Sequence, residues 1–206
     1  MLEKILSLKN SNNSVNEFCK AVRQGIPSAI FGVNDAFKSY LVGTLPDKVL
    51  LVVKDNITAW LSSELITDFS NKKTVIIPAK DEVLLTSKAY SKERQYARIK
   101  ALSQVKDAEV IIATPEVLMQ PCPKTIKSLS ILLNGNLERD LVVKNLSEMG
   151  YARVDSVESV GTFSVRGDIV DVFPIGEDVP FRIDFFDDTV EDIKKFDPET
   201  RKGLGR

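Results

Sequence analysis

The residues whose types and spacing could do chemistry first are Gly32, Lys38 and Ser39. They have the Gly-x4-Gly-Lys-Ser spacing of a phosphate-binding loop, in the segment Gly32-Val-Asn-Asp-Ala-Phe-Lys-Ser39. In such a loop, backbone N–H groups close around phosphates, the lysine reaches the terminal phosphates and the hydroxyl meets magnesium. The second glycine position holds Phe37 instead. A phenylalanine puts a ring near the site, and its Cβ disfavours the backbone angles the loop needs. Asp35 adds a negative charge where a triphosphate would lie. The apolar run Val110-Ile-Ile-Ala-Thr-Pro115 ends without an Asp-Glu pair to hold magnesium. Lys38 and Ser39 also fit an ordinary helix start. On either reading, no nucleotide cofactor is expected.

Other catalytic chemistry has little to draw on. Histidine is absent, which removes the commonest general base and zinc ligand. Cys19 and Cys122 stand far apart with no metal-ligand pattern near them, and both are expected as buried free thiols. Asp184, Asp187, Asp188, Glu191 and Asp192 cluster without the Asp-x-Asp-x-Asp-Gly spacing of a calcium loop, so no metal is expected. The triplet Arg166-Gly-Asp168 reads as a turn.

The elements that position these residues divide the chain at Pro121-Cys-Pro123. Residues 1–123 alternate short apolar runs with amphipathic stretches. Leu2, Ile5 and Leu6, then Val15, Phe18, Cys19 and Val22, have helical spacing, with Ser14 as a possible cap. Strands are predicted at Ser28–Phe31, Lys48–Val53, Thr74–Ile77 and Glu109–Ala113. Helices are predicted at Asp35–Val42, at Asn56–Phe69 with Trp60, Leu61, Leu65 and Phe69 on one side, and at Ser91–Val105. This alternation predicts a parallel sheet covered by helices. Residues 124–206 read as α+β. A strand is predicted at Lys127–Leu133 and a helix at Leu137–Met149, closed by Gly150. Strands at Ala152–Val157, Thr162–Val165, Asp168–Phe173, Phe181–Phe186 and Val190–Phe196 then form an antiparallel sheet. The expected fold class is α/β: a parallel-sheet domain that carries the degenerate loop, followed by a small α+β domain with an antiparallel sheet.

The 206 residues carry a net charge of −1, with 43% hydrophobic and 28% charged side chains. Residues 151–200 hold thirteen acidic and five basic side chains, a net of −8. That surface repels phosphate backbones and suits a protein partner. No signal peptide and no apolar run of membrane-spanning length is present in the sequence. A cytoplasmic location, no membrane partner and no small-molecule substrate are expected.

Three runs in the second domain are distinctive: Gly150-Tyr-Ala-Arg-Val-Asp155, Val160-Gly-Thr-Phe-Ser-Val-Arg-Gly-Asp-Ile-Val-Asp-Val-Phe-Pro174 and Phe181-Arg-Ile-Asp-Phe-Phe-Asp-Asp188. They resemble the domain shared by the repair helicase UvrB and the transcription-repair coupling factor Mfd, which docks on UvrA in both. Leu51–Asn56, Arg98–Leu102 and Val110–Leu118 extend the resemblance over nearly the whole chain. Phe37, and the short connection from Ala79 to Tyr90 where UvrB carries a long aromatic hairpin, match the N-terminal UvrB-like region of Mfd. The resemblance implies a module without ATPase activity of its own, not an enzyme in itself, that recruits UvrA in transcription-coupled nucleotide excision repair. RNA polymerase and double-stranded DNA would be partners of the full-length protein through domains beyond Arg206, which include its motor. A divergent UvrB-like ATPase that binds nucleotide and DNA is the alternative.

The resemblance also nominates Arg166, Arg182 and Phe186 as UvrA contacts. Strand alternation puts Phe181, Ile183 and Phe185 on one face and Arg182, Asp184 and Phe186 on the other. Phe163 and Val165 turn inward, leaving Thr162, Ser164 and Arg166 outward. An arginine beside an aromatic on a sheet surface has hot-spot composition. On the residues alone, Arg166 equally pairs with Asp168 or Asp171, Arg182 with Asp184 or Asp187, and Phe186 faces a helix of its own domain.

Overall fold

A computed structural model describes residues 13–80 and 92–204. The expected helix over Leu2–Leu6 and most of the Ala79–Tyr90 connection lie outside the described residues. The chain forms two compact units: Met1–Lys80 with Ala101–Pro121, and Asp81–Lys100 with Cys122–Arg206.

In the first unit, α1 (Asn13–Arg23) and α2 (Asp35–Thr44) precede β1 (Val49–Val52), α3 (Asn56–Ser70) and β2 (Thr74–Ile76). Helix α4 (Lys92–Gln104), whose residues up to Lys100 belong to the other unit, leads to β3 (Val110–Ala113) and the short α5 (Pro115–Met119). The three strands are parallel in the order β1-β3-β2. They are short, β-branched runs, as expected of strands buried by crossover helices. Ala59 and Ile66 of α3 pack on Val110 and Ile112 of β3. The buried stripe of α3 is Ala59, Ser62 and Ile66, while Trp60 is 61% exposed and Leu61 is exposed as well. Ile66 and Ala59 face the sheet, and Trp60 and Leu61 are turned off it. Close approach occurs against α2: a Cβ on Gly43 would lie 2.9 Å from the Ser70 Oγ.

Ser28–Phe31 is not a strand. Ile30 joins a cluster with Val15, Cys19 and Leu41, and Phe31 is 88% exposed. Of this run only Ile30 packs between helices, and the preceding Pro27 has no N–H for a ladder.

In the second unit, α6 (Arg139–Glu148) is followed by β4 (Ala152–Arg153), β5 (Thr162–Arg166), β6 (Ile169–Phe173), β7 (Phe181–Phe186) and β8 (Thr189–Lys195). The sheet runs in that order. It is antiparallel from β5 to β8, while β4 pairs parallel with β5. Val142 and Leu146 of α6 close one face over Phe163, Val170, Ile183, Phe185 and Val190. The helix ends in a Schellman motif. Gly150 has φ +87, its N–H donates to the Ser147 carbonyl at 3.0 Å, and Tyr151 N–H donates to the Leu146 carbonyl at 3.0 Å.

Lys127–Leu133 is irregular rather than a strand. Leu129 and Ile131 reach the core without a ladder partner. Pairing begins only at Asn134, whose N–H donates to the Val190 carbonyl at 2.8 Å. Cys19 is buried as expected, but Cys122 is exposed in the preceding segment.

Candidate functional site

At the degenerate phosphate loop, Gly32 has φ +76, and helix α2 begins at Asp35 with Asn34 as its N-cap. The Asn34 Oδ1 accepts the Phe37 N–H at 2.8 Å, and the Asn34 carbonyl accepts the Lys38 N–H at 3.0 Å. The Phe37 and Lys38 amides, two of those that would face a phosphate, are therefore satisfied at the helix start. Lys38 Nζ lies 2.9 Å from Asp35, and that ion pair holds the exposed Asp35 carboxyl below its ordinary value. Ser39 is 1% exposed, so its hydroxyl faces the interior. The Phe37 ring packs 5.9 Å from that of Tyr40 and joins the α1–α2 apolar cluster. Phe37 is thus a packing residue.

The outer face of the second sheet is different. In β7, Ile183 and Phe185 are buried against α6, and Arg182, Asp184 and Phe186 alternate to the other side. The register lines Ser164, Asp171, Arg182 and Lys194 into one row across β5–β8. The next row holds Arg166, Ile169, Asp184 and Asp192. Phe186 sits one step further on the same face, opposite Thr189 and beside the Arg166–Ile169 hairpin end. Arg166, Arg182 and Phe186 therefore lie on one face. By strand rise, Arg182 and Phe186 are about 13 Å apart.

Their surroundings differ. Phe186 is 70% exposed and faces no helix. Arg166 is exposed and donates from Nη2 to the Asp155 carbonyl, not to Asp168 or Asp171. With Arg153 and Ser164 it lines a shallow cleft of about 470 Å³ along β4 and β5. Arg182 meets neither Asp184 nor Asp187. It grips Asp171 through Nε–Oδ1 at 2.7 Å and Nη2–Oδ2 at 2.8 Å. Its guanidinium carbon also lies 5.2 Å from the centre of the Phe196 ring. The Asp171 hydrogen bond raises the Arg182 pKa above its ordinary value.

The outward side is not uniformly wet. Ser164 is 2% and Asp171 5% exposed, on the same side as a second apolar cluster of Val157, Phe173 and Phe196. Two further residues escaped the sequence reading. Arg139 at the start of α6 donates to the Gly167 carbonyl at 2.6 Å and ties down the hairpin turn next to Arg166. Lys194 neutralises the acidic row, at 2.5 Å from Asp192 and 3.7 Å from Asp184. Among the described residues, no group of three or more acidic or cysteine side chains could hold a metal ion. The acidic cluster instead belongs to this ion-paired face and to the β7–β8 turn, where Asp187 has φ +50.

Residues 129–206, the segment that contains this face, match the family model described as the UvrB interaction domain. The chain around it is similar to transcription-repair-coupling factors. It is 29% identical over 161 residues to that of Haemophilus influenzae, covering 75% of this chain and 14% of the relative. It is 44% identical over 72 residues to that of Myxococcus xanthus, covering 35% of this chain and 6% of the relative. It is also similar to the UvrABC system protein B of Kosmotoga olearia, at 28% identity over 198 residues, 85% of this chain and 30% of that protein. The chain thus spans less than a third of the length of these relatives. The family match and these relatives together make the chain similar, over most of its length, to part of the coupling factor and of UvrB. No helix among the described residues is long and apolar enough to cross a membrane.

Proposed function

We propose that this chain is a docking module that recruits UvrA through the outer face of its second sheet, with no nucleotide turnover of its own. The observation that carries this reading is the placement of Arg166, Arg182 and the exposed Phe186 on one rigid face of a UvrB interaction domain. Recognition needs an apolar anchor that loses water on binding and cations that fix orientation; Phe186 and the two arginines provide both. The sheet is preformed, so little ordering entropy opposes docking. RNA polymerase and double-stranded DNA would be engaged by other parts of a full-length coupling factor, in the cytoplasm.

Calorimetric titration of this chain with UvrA tests the reading, with a saturable 1:1 heat expected. Absence of binding at micromolar concentrations would remove it.

The competing reading, a UvrB-like ATPase fragment, requires a phosphate site at Gly32–Ser39. The Asn34 cap, the Lys38–Asp35 pair and the buried Ser39 argue against one. No heat is expected from millimolar ATP with magnesium, and wild type and Lys38→Ala should behave identically. A binding isotherm that disappears in Lys38→Ala would restore the ATPase reading.

A further inference from the structure

The bidentate grip of Asp171 on Arg182 does more than balance a charge. Asp171 is 5% exposed and is locked into the central row of the sheet between Ser164 and Arg182. Both its oxygens are used, one on Nε and one on Nη2 of Arg182. The Phe196 ring, 5.2 Å away, restrains the same guanidinium a second time. Nη1 is left without a hydrogen bond among the described residues, on a side chain that is 31% exposed. The neighbouring cation in the row, Lys194, is engaged by Asp192 and Asp184, so it does not compete for Asp171.

An arginine held at two of its three nitrogens presents the third in a fixed direction. A free arginine would lose rotamer entropy on docking, whereas this one has lost it on folding. The Nε–Nη2 fork, the geometry that meets a carboxylate best, is taken by Asp171, and Nη1 is the charged donor left to meet another acid.

We propose that Asp171 is the positioning residue of the docking face: it aims Arg182 Nη1 at a carboxylate of the partner and makes no contact with that partner itself. This inference rests on the UvrA-docking reading.

The test uses the whole chain, the variants Asp171→Asn and Arg182→Met, and their combination, each titrated with UvrA after its thermal transition has been recorded. Asp171→Asn keeps the side-chain shape but breaks the two-point grip. It is expected to weaken UvrA binding about tenfold. The double variant should bind no worse than Arg182→Met alone, because Asp171 acts only through Arg182. A purely structural role would instead make the two losses add.

A readout without UvrA accompanies this. The Arg182 Nε–H resonance of the free chain should be protected from exchange in the wild type and lose that protection in Asp171→Asn. A folded Asp171→Asn that binds within twofold of wild type overturns the proposal. So does an additive double variant. If Asp171→Asn does not fold, Arg182→Lys decides, since it keeps the charge and loses the fork; wild-type affinity in that variant overturns the proposal. If the wild-type chain itself fails to bind UvrA, the docking reading falls, and an Arg182 Nε–H that exchanges as fast as free arginine overturns the positioning role independently.

Discussion

Phe186→Ala is expected to weaken UvrA binding by about 2 kcal/mol or more, roughly a thirtyfold rise in Kd, while leaving the unfolding transition where it is. The two halves of that expectation have separate causes. Phe186 is 70% exposed at the end of β7, opposite Thr189, and belongs to no apolar cluster. Truncating it opens no cavity, so the packing penalty of a core substitution does not arise. On docking, the same ring would pass from water into a partner pocket, where a buried aromatic is worth several times an average contact. Titration calorimetry measures the affinity, and a urea melt on the same preparation measures stability. An unchanged Kd would exclude Phe186 as an anchor. A lost transition midpoint would mean that the ring supports the fold, contrary to its exposure.

The second sheet was more legible in the sequence than the first. Strands β5 to β8 are bounded by residues that enforce turns. Gly167 at φ +57 separates β5 from β6, and Asp187 at φ +50 sits between β7 and β8. Alternation along Phe181–Phe186 correctly divided the core face from the open face, because one side packs on α6 and the other does not. Alternation failed where both sides are covered. Ser164 was expected to be outward and wet, yet it is buried, with Val157, Phe173 and Phe196 clustering on its side of the sheet.

In the first unit, an apolar run was taken for a strand at Ser28–Phe31, but hydrophobicity reports burial and not the partner. Ile30 finds its burial among α1 and α2. In α3 the sequence puts Trp60, Leu61, Leu65 and Phe69 on one side, whereas the buried stripe is Ala59, Ser62 and Ile66, with Trp60 and Leu61 exposed. Apolar residues surround much of this helix, so their pattern alone does not choose the buried stripe. At the nominated site, the face of Arg182 was legible and its partner was not. The β6–β7 connection from Pro174 to Pro180 is too long for its length to set the register, and register is what places Asp171 opposite Arg182.

That register changes what Arg182→Ala does. A surface arginine paired with Asp184 or Asp187 could be removed with little effect on the fold, because exposed pairs contribute about 0–1 kcal/mol. Asp171 is not such a partner. Its side chain is only 6% exposed, and Arg182 supplies both of its side-chain hydrogen bonds. Removing the guanidinium leaves a buried carboxylate without its counter-charge and strips the cation from the Phe196 ring. Breaking a buried pair at one end costs about 3–5 kcal/mol. Arg182 is itself partly exposed, so water entering the gap recovers some of that, and a loss of about 2–3 kcal/mol is expected. Arg182→Ala should therefore lower both stability and UvrA affinity, whereas Phe186→Ala lowers affinity alone. Replacing the pair together, Asp171→Leu with Arg182→Met, should return most of the stability, since a well-packed apolar pair can substitute for a buried ion pair. It should not return the affinity. Urea melts of the single and paired variants separate the two effects. A stability loss below about 0.5 kcal/mol in Arg182→Ala would show that Asp171 finds water or another donor, and that the row across β5–β8 tolerates an unpaired acid.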